Sequence, residues 1–145
     1  MAIFRNNPYP NSHFRLQIGG MDELEFDQML LPEIGVEVNE YREGADPAQA
    51  SRKLPGRPYF SNLLLRRGFN GSLALYQWWL AASRGDSDAR RDIALDLLNE
   101  NHEPVLRLAF RNAFPARYTF SPLDAQDGSP WVESIEVAFD SFSME

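Results

Sequence analysis

Two histidines, twenty-one carboxylates and no cysteine bound the chemistry open to this chain. Without cysteine, disulfides, thiolate nucleophiles and cysteine-held metals are excluded. His13 falls on the polar side of a strand-like segment and His102 in a turn, with no second ligand at metal-binding spacing, so both read as surface histidines. Asp86, Asp88 and Asp92 form one spaced acidic group, and Glu23, Glu25 and Asp27 another. Neither follows a calcium loop, which needs a glycine at its sharp turn and a terminal glutamate, and both read as solvated charge. Acid–base catalysis needs two carboxylates in a set geometry, and so many candidates single out no pair. The serines lack the strand–turn–helix context that exposes a nucleophile. Gly19, Gly20, Gly44, Gly56, Gly68 and Gly71 punctuate strands and form neither a phosphate-binding loop nor a dinucleotide fingerprint. The reading is no catalytic residue, no cofactor and no metal.

The basic residues do gather. Arg52, Lys53, Arg57, Arg66 and Arg67 surround one long segment of a chain whose formal charge is −7. An acidic protein is repelled by nucleic acid and by anionic membrane surfaces, and no aromatic residues interleave the patch regularly. A basic patch on such a protein suits docking onto an acidic neighbour. No stretch approaches the ~20 apolar residues of a membrane-crossing helix. The first nine residues lack the apolar run of a signal peptide or anchor, so residence in the cytoplasm is expected.

The elements that position these groups are mostly strands. Apolar residues alternate at Phe14, Leu16 and Ile18; at Ile34, Val36 and Val38; at Ile93, Leu95 and Leu97; at Leu106, Leu108 and Phe110; and at Ile135, Val137 and Phe139. Period-two alternation marks strands with one buried face. Phe60 to Arg67 adds a strand whose Leu63-Leu64-Leu65 centre suggests burial on both faces, and Ala116 to Phe120 another after a break at Pro115. Ser72 to Ser83 reads as the only helix, with Ser72 as cap, Gly85 as stop, and stripes of Leu73, Tyr76, Leu80 and Leu75, Trp79, Ala82. Asn99 to His102 reads as a hairpin turn and Asp124 to Pro130 as a polar loop. Together these predict one domain over residues 1–145, mainly β. It is an antiparallel sandwich or barrel of about seven strands with one flanking helix at about 72–84.

One segment fits a lone domain poorly. From Tyr41 to Gly68 two strands are joined by a charged connection that carries Pro47, Pro55 and Pro58. Connections that long in a small domain are usually functional or disordered. Proline and arginine discourage indiscriminate strand pairing while allowing specific contacts. An extended arm or loop at about 42–58 is expected, with Tyr41, Arg42, Glu43, Gly44, Arg52, Lys53, Leu54, Pro55, Gly56 and Arg57 at a subunit contact.

Several short elements occur in order along nearly the whole chain. They are Asn7-Pro8-Tyr9 leading into Phe14-Arg15-Leu16-Gln17-Ile18, then Tyr41-Arg42-Glu43-Gly44, Lys53-Leu54-Pro55-Gly56 and Leu65-Arg66-Arg67-Gly68. Trp78-Trp79, Phe110-Arg111-Asn112-Ala113-Phe114-Pro115 and Glu133 to Phe139 complete the set. In this the chain resembles the tube protein family of contractile phage tails and phage-derived contractile injection systems. It departs from the common pattern at Ala45, where a second glycine is usual, and in the stiffer, more apolar Met29-Leu30-Leu31-Pro32. The resemblance implies a structural subunit, not an enzyme, that closes into six-membered rings stacked as a hollow tube within a contractile sheath. It implies as partners further copies of the chain, the sheath protein, baseplate or spike proteins and tube-terminating proteins. Protein or DNA cargo in the lumen is implied as well, and no membrane anchor. It places the chain in the bacterial cytoplasm during assembly, then in a virion tail or injection particle. The alternative within the family is a ring that initiates the tube or adapts it to the baseplate. Outside the family, the alternative is a small barrel enzyme or carrier with a pocket near Tyr76, Trp78, Trp79 and Arg111, which no convergent catalytic set supports.

Overall fold

A computed structural model describes residues 2–21, 24–42, 44 and 51–145. The strands are β1 (Phe14–Ile18), β2 (Gln28–Leu30), β3 (Ile34–Tyr41), β4 (Arg52–Phe60), β5 (Leu63–Gly68), β6 (Arg91–Leu98), β7 (Pro104–Phe120), β8 (Val132–Ala138) and β9 (Ser141–Met144). One helix, α1 (Ala74–Ser83), lies between β5 and β6. Seven strands form an open antiparallel sheet in the order β1-β6-β7-β8-β5-β2, with β9 also paired to β7; β3 and β4 form a separate pair. The mainly β expectation holds, as a sandwich and not as a closed barrel.

The sandwich depends on β7. Its first half pairs with β6 and β9, and its second half with β8. The strand therefore serves two layers, β1-β6-β7-β9 and β2-β5-β8-β7. The change of layer falls where Asn112 takes a φ of 56° and the register shifts between Pro115 and Arg117. Bends and bulges let one strand turn such a corner. Pro115 does not break the strand as expected: beyond Ala113 β7 pairs with β8 alone, and the register shift after Pro115 marks a bulge, where proline is tolerated.

Between the layers Leu16, Ile18, Ile93, Leu95, Leu108 and Phe110 face Leu63, Leu65, Ile135 and Val137, all buried. Leu64 points the other way and is half-buried, so the leucine run alternates after all. Helix α1 packs against β7. It buries Leu75 and Trp78, with Trp78 Nε1 donating to Ala89 O at 2.7 Å. Leu73 and Tyr76, expected in the buried stripe, are instead 52% and 42% exposed. The helix begins two residues later than Ser72, whose hydroxyl accepts from Ala74 N–H at 3.3 Å. It ends at Gly85, with a φ of 74°, where Gly85 and Asp86 N–H return to Ala82 and Ala81 carbonyls. That left-handed cap suits glycine.

Residues 99–102 form the expected hairpin turn, with Asn99 Oδ1 accepting from Asn101 and Glu103 N–H. The turn also anchors the N-terminal segment. Arg5 bonds both oxygens of Glu100 at 2.7 and 2.8 Å, and this holds the Glu100 carboxyl down to about 2.

Candidate assembly interface

Of the segment expected as an arm, residues 52–58 lie in a strand, while Glu43 and residues 45–50 fall outside the described residues. Tyr41 ends β3, and Arg52, Lys53, Leu54, Pro55, Gly56 and Arg57 belong to β4, which pairs with β3 from Tyr41↔Arg52 to Ile34↔Phe60. Residues 52–60 are thus one strand of a two-stranded ribbon, and the strand expected from Phe60 breaks at Ser61 and Asn62. Ser61 Oγ accepts Glu33 N–H at 2.6 Å and its own N–H goes to Glu33 O, closing the root of the ribbon. Arg42 follows the strand, Gly44 sits in a turn with open space around its α-carbon, and Glu43 lies outside the described residues. Proline is tolerated in edge strands and at bulges. Strand β4 offers both, since its register shifts between Val36↔Pro58 and Val38↔Pro55.

One face of the ribbon is apolar. Ile34, Val36 and Val38 lie opposite Phe60, Pro58 and Pro55, and the three aliphatic residues are 53%, 44% and 62% exposed. On the other face the ring of Tyr59 lies directly over Gly35, where a β-carbon would come within 2.4 Å of it. Leu54, Tyr41, Arg52 and Arg57 are exposed beside it. Strands β3 and β4 make their extensive contacts with each other, not with the body. Phe60 is tied to the body by its ring, 5.5 Å from that of Phe139. Exposed apolar faces of this kind are common at contacts between proteins.

A second surface is the outer side of the layer β1-β6-β7-β9. Arg15, Asp96 and Arg107 stand in register across three strands. Asp96 is almost fully buried beneath the two guanidinium groups: Arg107 binds it at 2.8 and 3.1 Å, and Arg15 at 3.1 Å. The hydrogen bonds from Arg107, then those from Arg15, hold its carboxyl below the usual range against the opposing effect of burial. Arg111 pairs with Asp92 at 3.6 Å on the same face. Ala94 and Ala109, opposite each other, leave a shallow depression of about 260 Å³ between these charges. The face is polar, charge-paired and solvated, and both edges of the layer, β1 and β9, are open.

Other residues singled out in the sequence fall elsewhere. Arg66 is half-buried beside Gln28. Arg67 is not a docking charge: it is 3% exposed and bonds Glu133, itself fully buried, at 2.5 Å. Tyr118 donates its hydroxyl to the same carboxylate, and burial, then that bond, raise its pKa. Glu133 simply continues the inward row of Ile135 and Val137, which the period of two foretells. His13 and His102 meet edge to face at 4.7 Å. Among the described residues no group of three or more His, Cys, Asp or Glu is placed to hold a metal, and no helix is long and apolar enough to cross a membrane. Arg111 lies on the polar face beside Asp92, while Trp78 is buried in the core with its N–H satisfied. Sequence reasoning missed that Ile34, Val36 and Val38 face outward. The signal was the proline-rich partner strand, which marks a ribbon with free edges.

The model of the T4-like virus tail tube protein gp19 family matches residues 10–143. No curated protein matches the chain. Among solved structures, a chain of the PVC sheath–tube complex of an extracellular contractile injection system is 26% identical. The match covers 97% of this chain and 93% of that one, with a TM-score of 0.83. A chain of the anti-feeding prophage tube-terminating cap is also 26% identical, over 100% and 95% of the two chains, with a TM-score of 0.84. Hcp1 from Salmonella typhimurium, 17% identical over 91% and 84% with a TM-score of 0.61, shares the fold. A family match over almost the full length, on a sandwich with a projecting ribbon, places the chain in the tail tube protein gp19 family.

Proposed function

We propose that this tail tube protein is a repeating subunit of the inner tube of a contractile injection system or phage tail. It closes into six-membered rings that stack into a hollow conduit, and the arm makes the contact between subunits. The observation that carries this reading is the ribbon β3–β4, whose Ile34, Val36 and Val38 are exposed and whose strands, among the described residues, make extensive contact only with each other. The open edges of the layer β1-β6-β7-β9 suit lateral extension of the sheet, and its polar face suits the wall of an aqueous lumen. The 26% identity to chains from a sheath–tube complex and a tube cap supports sheath and cap proteins as further partners; baseplate proteins, and protein or DNA as cargo, belong to the same proposal. No catalytic role is assigned. Assembly takes place in the bacterial cytoplasm and the finished tube is part of a particle.

Charge supplies a constraint. Six copies at −7 each put about −42 on a ring, and stacked rings repeat it. Arg42, Arg52, Lys53 and Arg57 offset this repulsion by facing Asp or Glu of a neighbour. Electron microscopy tests the reading. Purified protein forms long tubes, whereas deletion of residues 46–53, or Gly44→Trp, leaves the body folded and abolishes them. Normal tubes from the deletion would refute the arm's role. Single rings from the intact chain would assign it to the initiating or adaptor ring instead.

A further inference from the structure

The outer side of the layer β1-β6-β7-β9 is built as rows that run across its strands. Arg15, Asp96, Arg107 and Glu145 form one, with Arg107 and Glu145 exchanging backbone hydrogen bonds just past the end of β9. Gln17, Ala94, Ala109 and Ser143 form the next, which carries no charge. Beyond it Asp92 pairs with Arg111, which stands opposite Ser141. Three arginines thus meet three carboxylates, and the side chains of these rows sum to zero on a chain whose formal charge is −7. The balance is local: Asp96 is 3% exposed beneath Arg15 and Arg107, and Asp92 lies 3.6 Å from Arg111. The face offers little apolar hold either. Alanine occupies the centre of the uncharged row, and Val105, which continues the face along β7, is 3% exposed.

We propose that this face is a charge-neutral, non-adhesive wall along which polypeptide of either net charge passes. The proposal rests on the reading above that the face lines a lumen, and it selects protein over DNA as what the lumen carries. A conduit with low-dielectric walls focuses whatever net charge its lining holds, and repeated copies multiply it. A lining that shared the −7 would gather basic proteins and oppose acidic ones along its whole length. This face has no such bias, because the −7 falls on the rest of the chain. Polypeptide carries both signs of charge in mixed order, so a balanced wall neither repels nor gathers it. DNA carries one sign at every phosphate. Arg15 gives Asp96 one N–H and Arg107 gives it two, whereas each guanidinium has five. The unspent donors suit phosphate oxygens, and in every copy they would hold DNA back.

Because the chain has no cysteine, a single thiol reads the face directly. Ser143→Cys places it in the uncharged row at an exposed position, and Leu123→Cys, 81% exposed between β7 and β8, is the reference. Rates with a cationic and an anionic methanethiosulfonate are compared on dilute chain and on tubes. Corrected for a free thiol, the ratio at Ser143→Cys is expected to lie within about twofold of one in both. Adding Arg111→Glu on the same face should shift it about tenfold toward the cationic reagent at low salt, and less at high salt. A tenfold bias without that substitution overturns the neutral wall. On tubes, a bulky maleimide should label Leu123→Cys and miss Ser143→Cys. Equal labelling would overturn the lumen reading itself, whatever the ratio, so the two failures are distinguishable. Tubes are then loaded with a cationic peptide, an anionic peptide or a single-stranded oligonucleotide and washed, with recovery of Ser143→Cys labelling as the readout of release. Both peptides should leave at similar rates, and the oligonucleotide about tenfold more slowly at low salt. Retention of one peptide alone overturns neutrality, and equally fast release of all three overturns the selection of protein over DNA.

Discussion

In β8 the alternating residues Ile135 and Val137 are fully buried, whereas in β3 the alternating Ile34, Val36 and Val38 are 53%, 44% and 62% exposed. The pattern is the same and the outcome opposite. The difference lies in what stands across from each strand. Strand β8 sits between β5 and β7 with the other layer over its inner face; β3 has a single partner that carries two prolines and a bulge. Alternation therefore specifies a face that needs cover, not the molecule that supplies it. In the body the cover comes from the same chain. In the ribbon the same chain leaves it largely uncovered.

The comparison is broken most forcefully in the body. Glu133→Ala leaves the buried Arg67 without its carboxylate, and such a loss costs about 3–5 kcal/mol. Phe110→Ala empties a fully buried site and also costs about 3–5 kcal/mol. Urea denaturation of dilute, unassembled protein measures both. A loss below about 1 kcal/mol for either would mean that the body does not depend on its inward row.

An intermediate effect is expected on the polar face. Asp96→Ala removes the acceptor shared by Arg107 and Arg15, but both arginines are about half exposed and can turn to water. The loss should be about 1.5–3 kcal/mol. Because the folded protein holds the Asp96 carboxyl below its ordinary range, the contribution is present above the unfolded pKa. It is lost as pH falls through the lower folded value. Asp96→Asn should therefore flatten the fall in stability below about pH 4, read from denaturation midpoints between neutral and acid pH. An unchanged acid limb would show that the arginine cover is incidental.

Much of the body was legible because it obeys one local rule. Strands β1, β6 and β8 and the first half of β7 carry period-two alternation over five residues or more, and Gly85 announces the end of α1. The misses have physical causes. Strand β4 was hidden by Pro55 and Pro58, which disqualify a central strand but not a ribbon with free edges. Strand β9 is four residues long and follows β8 after Phe139 and Asp140, too short to show a period of its own. Arg67 was read as part of a docking patch, since nothing local reveals that it is buried against Glu133.

The smallest effect on the dilute protein is the most informative about the arm. Val38→Glu places a carboxylate at a side chain already 62% exposed, on a ribbon whose extensive contacts are internal to it. Stability of the unassembled chain should change by less than about 0.5 kcal/mol, as for surface sites free of special contacts. Yet the same change puts a charge into the apolar face offered to a neighbour, where an unpaired carboxylate meets a desolvation cost that repeats at every subunit contact. Denaturation of the dilute protein and electron microscopy of the concentrated protein should then disagree, with a normal midpoint and no tubes. A large loss of stability would place the arm's apolar face inside the fold of its own chain, and normal tubes would leave that face without a partner. Only the split between the two measurements fits a ribbon whose hydrophobic face is completed by another copy.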